Sequence, residues 1–262
     1  MEKKFWRPLF DFFFIFLLIF TPLFYGGIRT GPFITIQLAL FFLAILFVFY
    51  LFTTGYKLIF PAHIYLLIIF TAIIIFQIIP LPGYLIKIIS PKTSLLYKQY
   101  ADFSDFSFHH LSLYGFSTKQ EIIHFISLII AFIIAINIFI DKRQFERMIL
   151  IIIFLSLALA LYGITKKYFI LGKEATGSFS TFGNKNHFAD YMVMVVSLTT
   201  GYALSCRNKF KKFIFSFIGA IIAASIFLSL SRAGALSFIF SFSEFLMYFC
   251  KFLFTKKERG SF

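Results

Sequence analysis

The chain has 262 residues, of which 60% are hydrophobic, 22% aromatic and only 14% charged, with a mean hydropathy of +0.90 and a formal net charge of +14. This composition excludes an ordinary soluble domain, and continuous apolar runs near the roughly 20 residues a helix needs to cross a bilayer exclude the alternating pattern of a membrane β-barrel. Lys and Arg collect between the apolar runs, so the positive charge reads as a topological signal and a match for phosphate-bearing lipid, not as a nucleic-acid surface.

In chain order, Lys3, Lys4 and Arg7 precede an apolar run from Leu9 to Tyr25. The arrangement is like the start of a signal peptide, but the run is long, has no small-residue cleavage site and leads into further apolar runs, which predicts an uncleaved first span. Further spans are predicted at 34–53, 62–81, 121–140, 148–165, 188–205, 213–230 and 234–254, giving an all-α polytopic transmembrane bundle of eight spans in a single transmembrane domain over residues 1–262. Gly26-Gly27, Gly31-Pro32, Pro61 and the pair Pro80 and Pro82 supply the breaks. No internal repeat points to a transporter built from inverted halves.

The distribution of positive charge predicts the orientation. With the N-terminus inside, 15 of the 25 basic residues fall in cytoplasmic segments, and eight of the other ten lie in the two longer external loops, 82–120 and 166–187. Short loops carry most of this signal, so both termini are expected inside. The 82–120 loop is half apolar; Tyr84–Ile89 and Leu95-Leu96-Tyr97 suit a helix lying in the headgroup region, and both a lipid-contacting lid and an amphipathic connector fit it.

Polar residues at membrane depth are costly and call for a reason. Residues 181–189 read Thr-Phe-Gly-Asn-Lys-Asn-His-Phe-Ala at the mouth of the span expected at 188–205. Either Asn is a good helix cap, but Asn184, Lys185, Asn186 and His187 together combine helix N–H groups, amides and a cation into a plausible anion cradle. Some 40 residues later Ser231-Arg232 stands between two apolar segments, flanked by Ser229, Ala233, Gly234 and Ala235. Small neighbours let another backbone or a ligand approach, and guanidinium is suited to forked contacts with phosphate; a snorkelling interfacial Arg also fits the position. Asp190 could pair with Lys185 or Arg232 or accept a proton from a substrate hydroxyl, and the ion-pair reading is preferred. Glu244, roughly 20 Å along a helix from Ser231, is placed to pair with Lys251 and is given no catalytic role.

The remaining candidates are weak. His109, His110 and His124 have no Cys or carboxylate at metal-site spacing and read as interfacial. Cys206 at a span end and Cys250 inside another define no disulfide framework. No phosphate-binding loop, nucleophile elbow or zinc-protease motif occurs.

The order of Thr181-Phe-Gly-Asn-Lys-Asn-His-Phe-Ala189 and Leu230-Ser-Arg-Ala-Gly-Ala235 resembles the O-antigen ligase and O-antigen polymerase family of bacterial membrane glycosyltransferases. The family pattern is similar to G-T-F-x-N-x-N-x-x-A followed by S-R-G/A-G/A. Gln77-Ile-Ile-Pro-Leu-Pro82, Ser90-Pro91 and Leu111–Thr118 are similar to the first external loop of some members, so the resemblance covers most of the chain with 166–235 as its motif region. It implies a metal-independent transfer, without a cofactor, at the periplasmic face of the inner membrane. The donor would be a glycan on undecaprenyl diphosphate and the acceptor a lipid A core sugar or another glycan. It implies that Arg232 binds the donor diphosphate and that Asn184 and Asn186 shape the site, beside Lys185 and His187.

Three departures stand out. Ser180 replaces the family's Gly before Thr-Phe. Lys166, Lys167 and Lys173 stand where members often carry Arg. The family's external loop with its catalytic base is expected beyond Phe262, which makes this chain a C-terminally truncated counterpart by resemblance. A transporter or flippase for lipid-linked glycans and an inactive truncated homologue stay open as alternatives.

Overall fold

A computed structural model describes residues 2–27, 29–101, 104–139, 141–170 and 177–259, with side chains from Phe5 through Met247 except that of Ile170. Lys173 lies outside the described residues, as do Phe262 and the side chains of Cys250, Lys251, Lys256, Lys257 and Arg259. The described residues form ten α-helices: α1 (Glu2–Leu23), α2 (Thr30–Thr54), α3 (His63–Phe76), α4 (Gly83–Ile89), α5 (Pro91–Tyr100), α6 (Gly115–Ile138), α7 (Lys142–Thr165), α8 (Lys185–Ser205), α9 (Lys209–Leu228) and α10 (Arg232–Arg259). A single π-helical turn, Lys166–Ile170, extends α7, and two short strands, β1 (Leu81–Pro82) and β2 (Phe108–His109), pair antiparallel.

The fold is all-α, and a helix lies within each of the eight segments expected to span. Among the described residues, five helical stretches are long and apolar enough to cross a membrane: Phe5–Leu23, Thr30–Thr54, Gly115–Ile138, Lys142–Phe169 and Lys209–Leu228. The run expected at 62–81 differs. Its helix stops at Phe76 after 14 residues, about 21 Å of helix against roughly 30 Å of hydrocarbon. Pro80 bends the preceding residues out of the helix; the last N–H groups, of Gln77, Ile78 and Ile79, bond three residues back in tightened turns. Helix α8 is long enough at 21 residues but carries Lys185, Asn186, His187 and Asp190 in its first turns. Helices α7 and α9 start earlier than hydropathy alone places them, because Asp141 and Asn208 cap them and basic residues fill their first turns.

The chain divides into two compact units, one of residues Met1–Arg7 and Gln37–Phe139, the other of Pro8–Ile36 and Ile140–Phe262. In the first, α2 buries Gln37, Leu40, Leu43, Phe47 and Tyr50, one helical stripe. Asn137 on α6 is 2% exposed and ties down the irregular stretch that follows α2. Its Oδ1 accepts from the Ile59 N–H at 2.8 Å, while its Nδ2 donates to the Ile59 carbonyl at 3.1 Å and the Ile133 carbonyl at 2.8 Å. Non-helical backbone in an apolar setting needs such partners.

In the second unit α8 is the central helix. It buries Phe188, Ala189, Met192, Val193, Val195, Val196, Thr199 and Ala203, more than one face. Ile153, Leu159 and Ala160 of α7 and Phe215, Ile218, Ile222 and Ile226 of α9 complete this core. The Thr199 hydroxyl donates to the Val195 carbonyl at 2.7 Å, so a polar residue is satisfied within its own helix. A buried carboxylate, Asp11 of α1, accepts from Gln144 Nε2 at 3.2 Å and pairs with Arg147 at 3.3 Å, joining α1 to α7. Substituting Asn137→Leu strands both backbone groups of Ile59; the expected loss is about 2–4 kcal/mol, read as a lowered midpoint of thermal unfolding in detergent.

Candidate functional site

The residues singled out in 181–189 and at 231–232 lie in the second unit, where the starts of α8 and α10 meet. Each helix begins with a capping side chain. Asn184 caps α8, its Oδ1 accepting from the Asn186 N–H at 2.8 Å. Ser231 caps α10, its Oγ accepting from the Gly234 N–H at 3.1 Å. The same Ser231 hydroxyl donates to Asn186 Oδ1 at 2.8 Å, bonding one helix start to the other. Close packing follows the bond: a methyl on Gly234 would overlap that of Ala189. The second small residue after the Arg, Gly234, is therefore a packing requirement of the helix pair.

A tight loop presents α8. Phe179 and Phe182 exchange backbone hydrogen bonds at 3.3 and 3.1 Å, and both rings are buried against Phe188. Between them Ser180 takes a left-handed backbone, with φ of 57°. Glycine adopts that conformation freely and other residues adopt it at a cost of about 1–2 kcal/mol. The buried Ser180 hydroxyl donates to the Leu159 carbonyl at 2.7 Å and offsets that cost. Thr181 Oγ1 donates to the Pro22 carbonyl at 2.6 Å, one of the last carbonyls of α1. At the other motif, Leu230 is also left-handed, with φ of 57°, and this lets α10 start directly after α9.

Cations surround the joined helix starts. Arg232 is exposed at the first position of α10. No ion pair or hydrogen bond holds its guanidinium among the described residues. Lys185 opens α8 and lies within electrostatic reach of Lys167. Lys167 Nζ donates to the Leu228 carbonyl at 3.0 Å, capping the end of α9, and Lys166 Nζ donates to the Ser180 carbonyl at 3.1 Å. Two helix N-termini, each with about half a positive charge, add to these side chains. An arrangement of this kind suits a phosphate-bearing anion.

The structure therefore brings together Asn184, Lys185, Asn186 and Arg232, while His187 is exposed beside them. It does not pair Asp190. That residue is five positions past Lys185, about 140° around the helix, and it is exposed with no ion pair among the described residues. Glu244 is exposed along α10 beside Ser237, Phe240 and Ser241. The histidines elsewhere have local partners: His109 Nε2 lies 3.0 Å from Ser107 Oγ, and His124 Nδ1 lies 2.6 Å from Gln37 Nε2.

One cation near the loop was invisible to motif reading. Arg29 stacks over the Tyr25 ring at 3.9 Å, and Tyr25 forms a backbone bridge with Phe182. The only sequence signal for it is a lone Arg close after the Gly26-Gly27 break.

Gly234→Ala is expected to push the two helix starts apart at a cost of about 1–3 kcal/mol. Adding Ala189→Gly in the same chain makes room and restores most of the loss, as read by thermal unfolding of the single and double variants in detergent. Equal destabilisation with and without Ala189→Gly would place the strain elsewhere.

No protein-family model, curated protein or solved structure matches the chain.

Proposed function

We propose that the chain is an O-antigen ligase-related membrane glycosyltransferase, moving a glycan from an undecaprenyl-diphosphate carrier to a lipid A core or other glycan acceptor. The observation that carries this reading is the convergence of the two motifs, through Ser231 and Asn186, on one cationic rim. The resemblance in sequence supplies the substrate class and the geometry supplies a reason for the residues.

Breaking the bond between a sugar and a diphosphate leaves negative charge on the departing phosphate oxygens. Catalysis then depends on donors already in place where that charge develops. Arg232 is assigned the diphosphate, with Lys185 and the two helix N-termini adding to the same field. Asn186 accepts from Ser231 through its Oδ1, with its Nδ2 group in no hydrogen bond among the described residues, and Asn184 fixes the first turn of α8. These roles are binding and charge stabilisation; no side chain is assigned as the base that activates the acceptor hydroxyl.

The same reading sets the topology. Eight spans with both termini in the cytoplasm put the 166–187 loop and Ser231-Arg232 on the outer face of a bacterial plasma membrane, where lipid-linked glycans are presented. The positive charge of the short segments supports this orientation.

Arg232→Ala is expected to lower glycan transfer from a lipid-diphosphate donor by about 100- to 1,000-fold, the usual cost of removing one donor to a developing anion. Arg232→Lys keeps the charge but loses the planar fork, and is expected to fall between the two. The measurement is product formation in membranes carrying equal amounts of each variant, and undiminished transfer by Arg232→Ala would remove Arg232 from the mechanism.

A further inference from the structure

The segment between α3 and α6 is a closed lobe with a surface unlike that of the helices that carry it. Its two ends are joined, the Ser112 N–H donating to the Gln77 carbonyl at 2.9 Å. Inside, β1 pairs with β2, and the Gly83 and Tyr84 N–H groups donate to the Ser107 and Asp105 carbonyls at 2.9 and 3.2 Å. Lys87 on α4 forms an ion pair with Asp105. Tyr97 donates its hydroxyl to the His110 carbonyl at 3.0 Å and packs on the His109 ring. These bonds give the lobe a defined shape and a defined outer face.

That outer face is apolar and basic together. Helix α5 buries Thr93 and Ser94, so its other side presents Leu95 and Leu96, at 62% and 40% exposure, with Lys92 and Lys98 beside them, and Tyr100, 77% exposed, ends the helix. Helix α4 adds Ile88, 75% exposed. Neither Lys92 nor Lys98 has an acidic partner among the described residues. Helix α3 gives the contrast. Its exposed face, including Leu66, Ile69 and Ile73, carries no charge within the helix, as a surface against hydrocarbon should. Mixed aliphatic residues, Tyr and Lys are the signature of the interface between hydrocarbon and water.

Position agrees with chemistry. Helix α6 is 24 residues long and apolar enough to cross a membrane, and the lobe is bonded at the end where α3 finishes and α6 begins. If α6 spans, the lobe sits at headgroup depth. We propose that the α4–α5 face lies on the bilayer surface, with Leu95, Leu96 and Ile88 at the edge of the acyl region and Lys92 and Lys98 on anionic phospholipid headgroups. The occupant is lipid, because the face offers two unpaired ammonium groups flanking a narrow apolar strip. Each lysine favours an anionic over a neutral surface by about fivefold. This surface is separate from the motifs at 181–189 and 231–232 and takes a bilayer, not a glycan donor.

The full chain contains one tryptophan, Trp6. In a Trp6→Phe background, Leu96→Trp and separately Leu95→Trp place a reporter on the face, and the protein is reconstituted in vesicles of phosphatidylcholine with or without phosphatidylglycerol. Blue-shifted emission, quenched by lipids brominated near the headgroup and unchanged as protein is diluted in lipid, is the expected result. Adding Lys92→Glu and Lys98→Glu should weaken that quenching chiefly in the anionic vesicles. Emission typical of water with no quenching by brominated lipid would overturn the proposal, and shielding that disappears on dilution would overturn it in favour of a second copy of the chain.

Discussion

The hydroxyl of Ser231 holds the candidate site together. It accepts from the Gly234 N–H and donates to Asn186 Oδ1, so one small side chain both starts α10 and bonds it to α8. A buried hydroxyl that left either bond unmade would carry a desolvation cost of about 1–3 kcal/mol. The two cations at the helix starts depend on this junction. It places Arg232 at the first residue of one helix and Lys185 at the first residue of the other, and it aligns two helix N-termini toward one end. The close approach of Gly234 to Ala189 is its steric counterpart.

The junction is expensive to keep and the surrounding core supports it. Helix α8 carries more polar residues than a spanning helix needs, yet it is the most enclosed helix of its unit, packed by α7 and α9 through Ile153, Leu159, Ile218 and Ile222. Phe179, Phe182 and Phe188 form an aromatic floor under the loop, and Ser180 and Thr181 pin that loop to carbonyls of α7 and α1. The left-handed backbone at Ser180 and Leu230, in the two turns that aim the helix starts, is shared among the described non-glycine residues by Tyr25, which bridges to the same loop.

Much of this was legible in the sequence. Apolar run length predicted the helices, Gly26-Gly27 and Pro80 marked real breaks, and the helices at 83–89 and 91–100 follow the amphipathic pattern read in that loop. Both polar motifs were visible because polar groups stand out against an apolar background. What was hidden depends on three dimensions. Hydropathy could not show that α3 stops at Phe76, since Ile78 and Ile79 are as apolar as the helix itself. Charge proximity in sequence suggested that Asp190 pairs with Lys185, but helical phase points them apart. Asp11, a carboxylate inside the first apolar run, finds Gln144 and Arg147 across more than 130 residues of chain, beyond the reach of any local pattern. Arg29 joins the neighbourhood of the loop only through the backbone bridge between Tyr25 and Phe182.

The most direct test of the central claim is a binding titration of the purified chain with a short polyprenyl diphosphate and with the monophosphate of the same prenyl length. The joined helix starts should favour the diphosphate, and Arg232→Ala should erase that preference while leaving the weaker, prenyl-dependent binding in place. Equal affinity for the two lipids, or a preference for diphosphate that survives Arg232→Ala, would contradict the account.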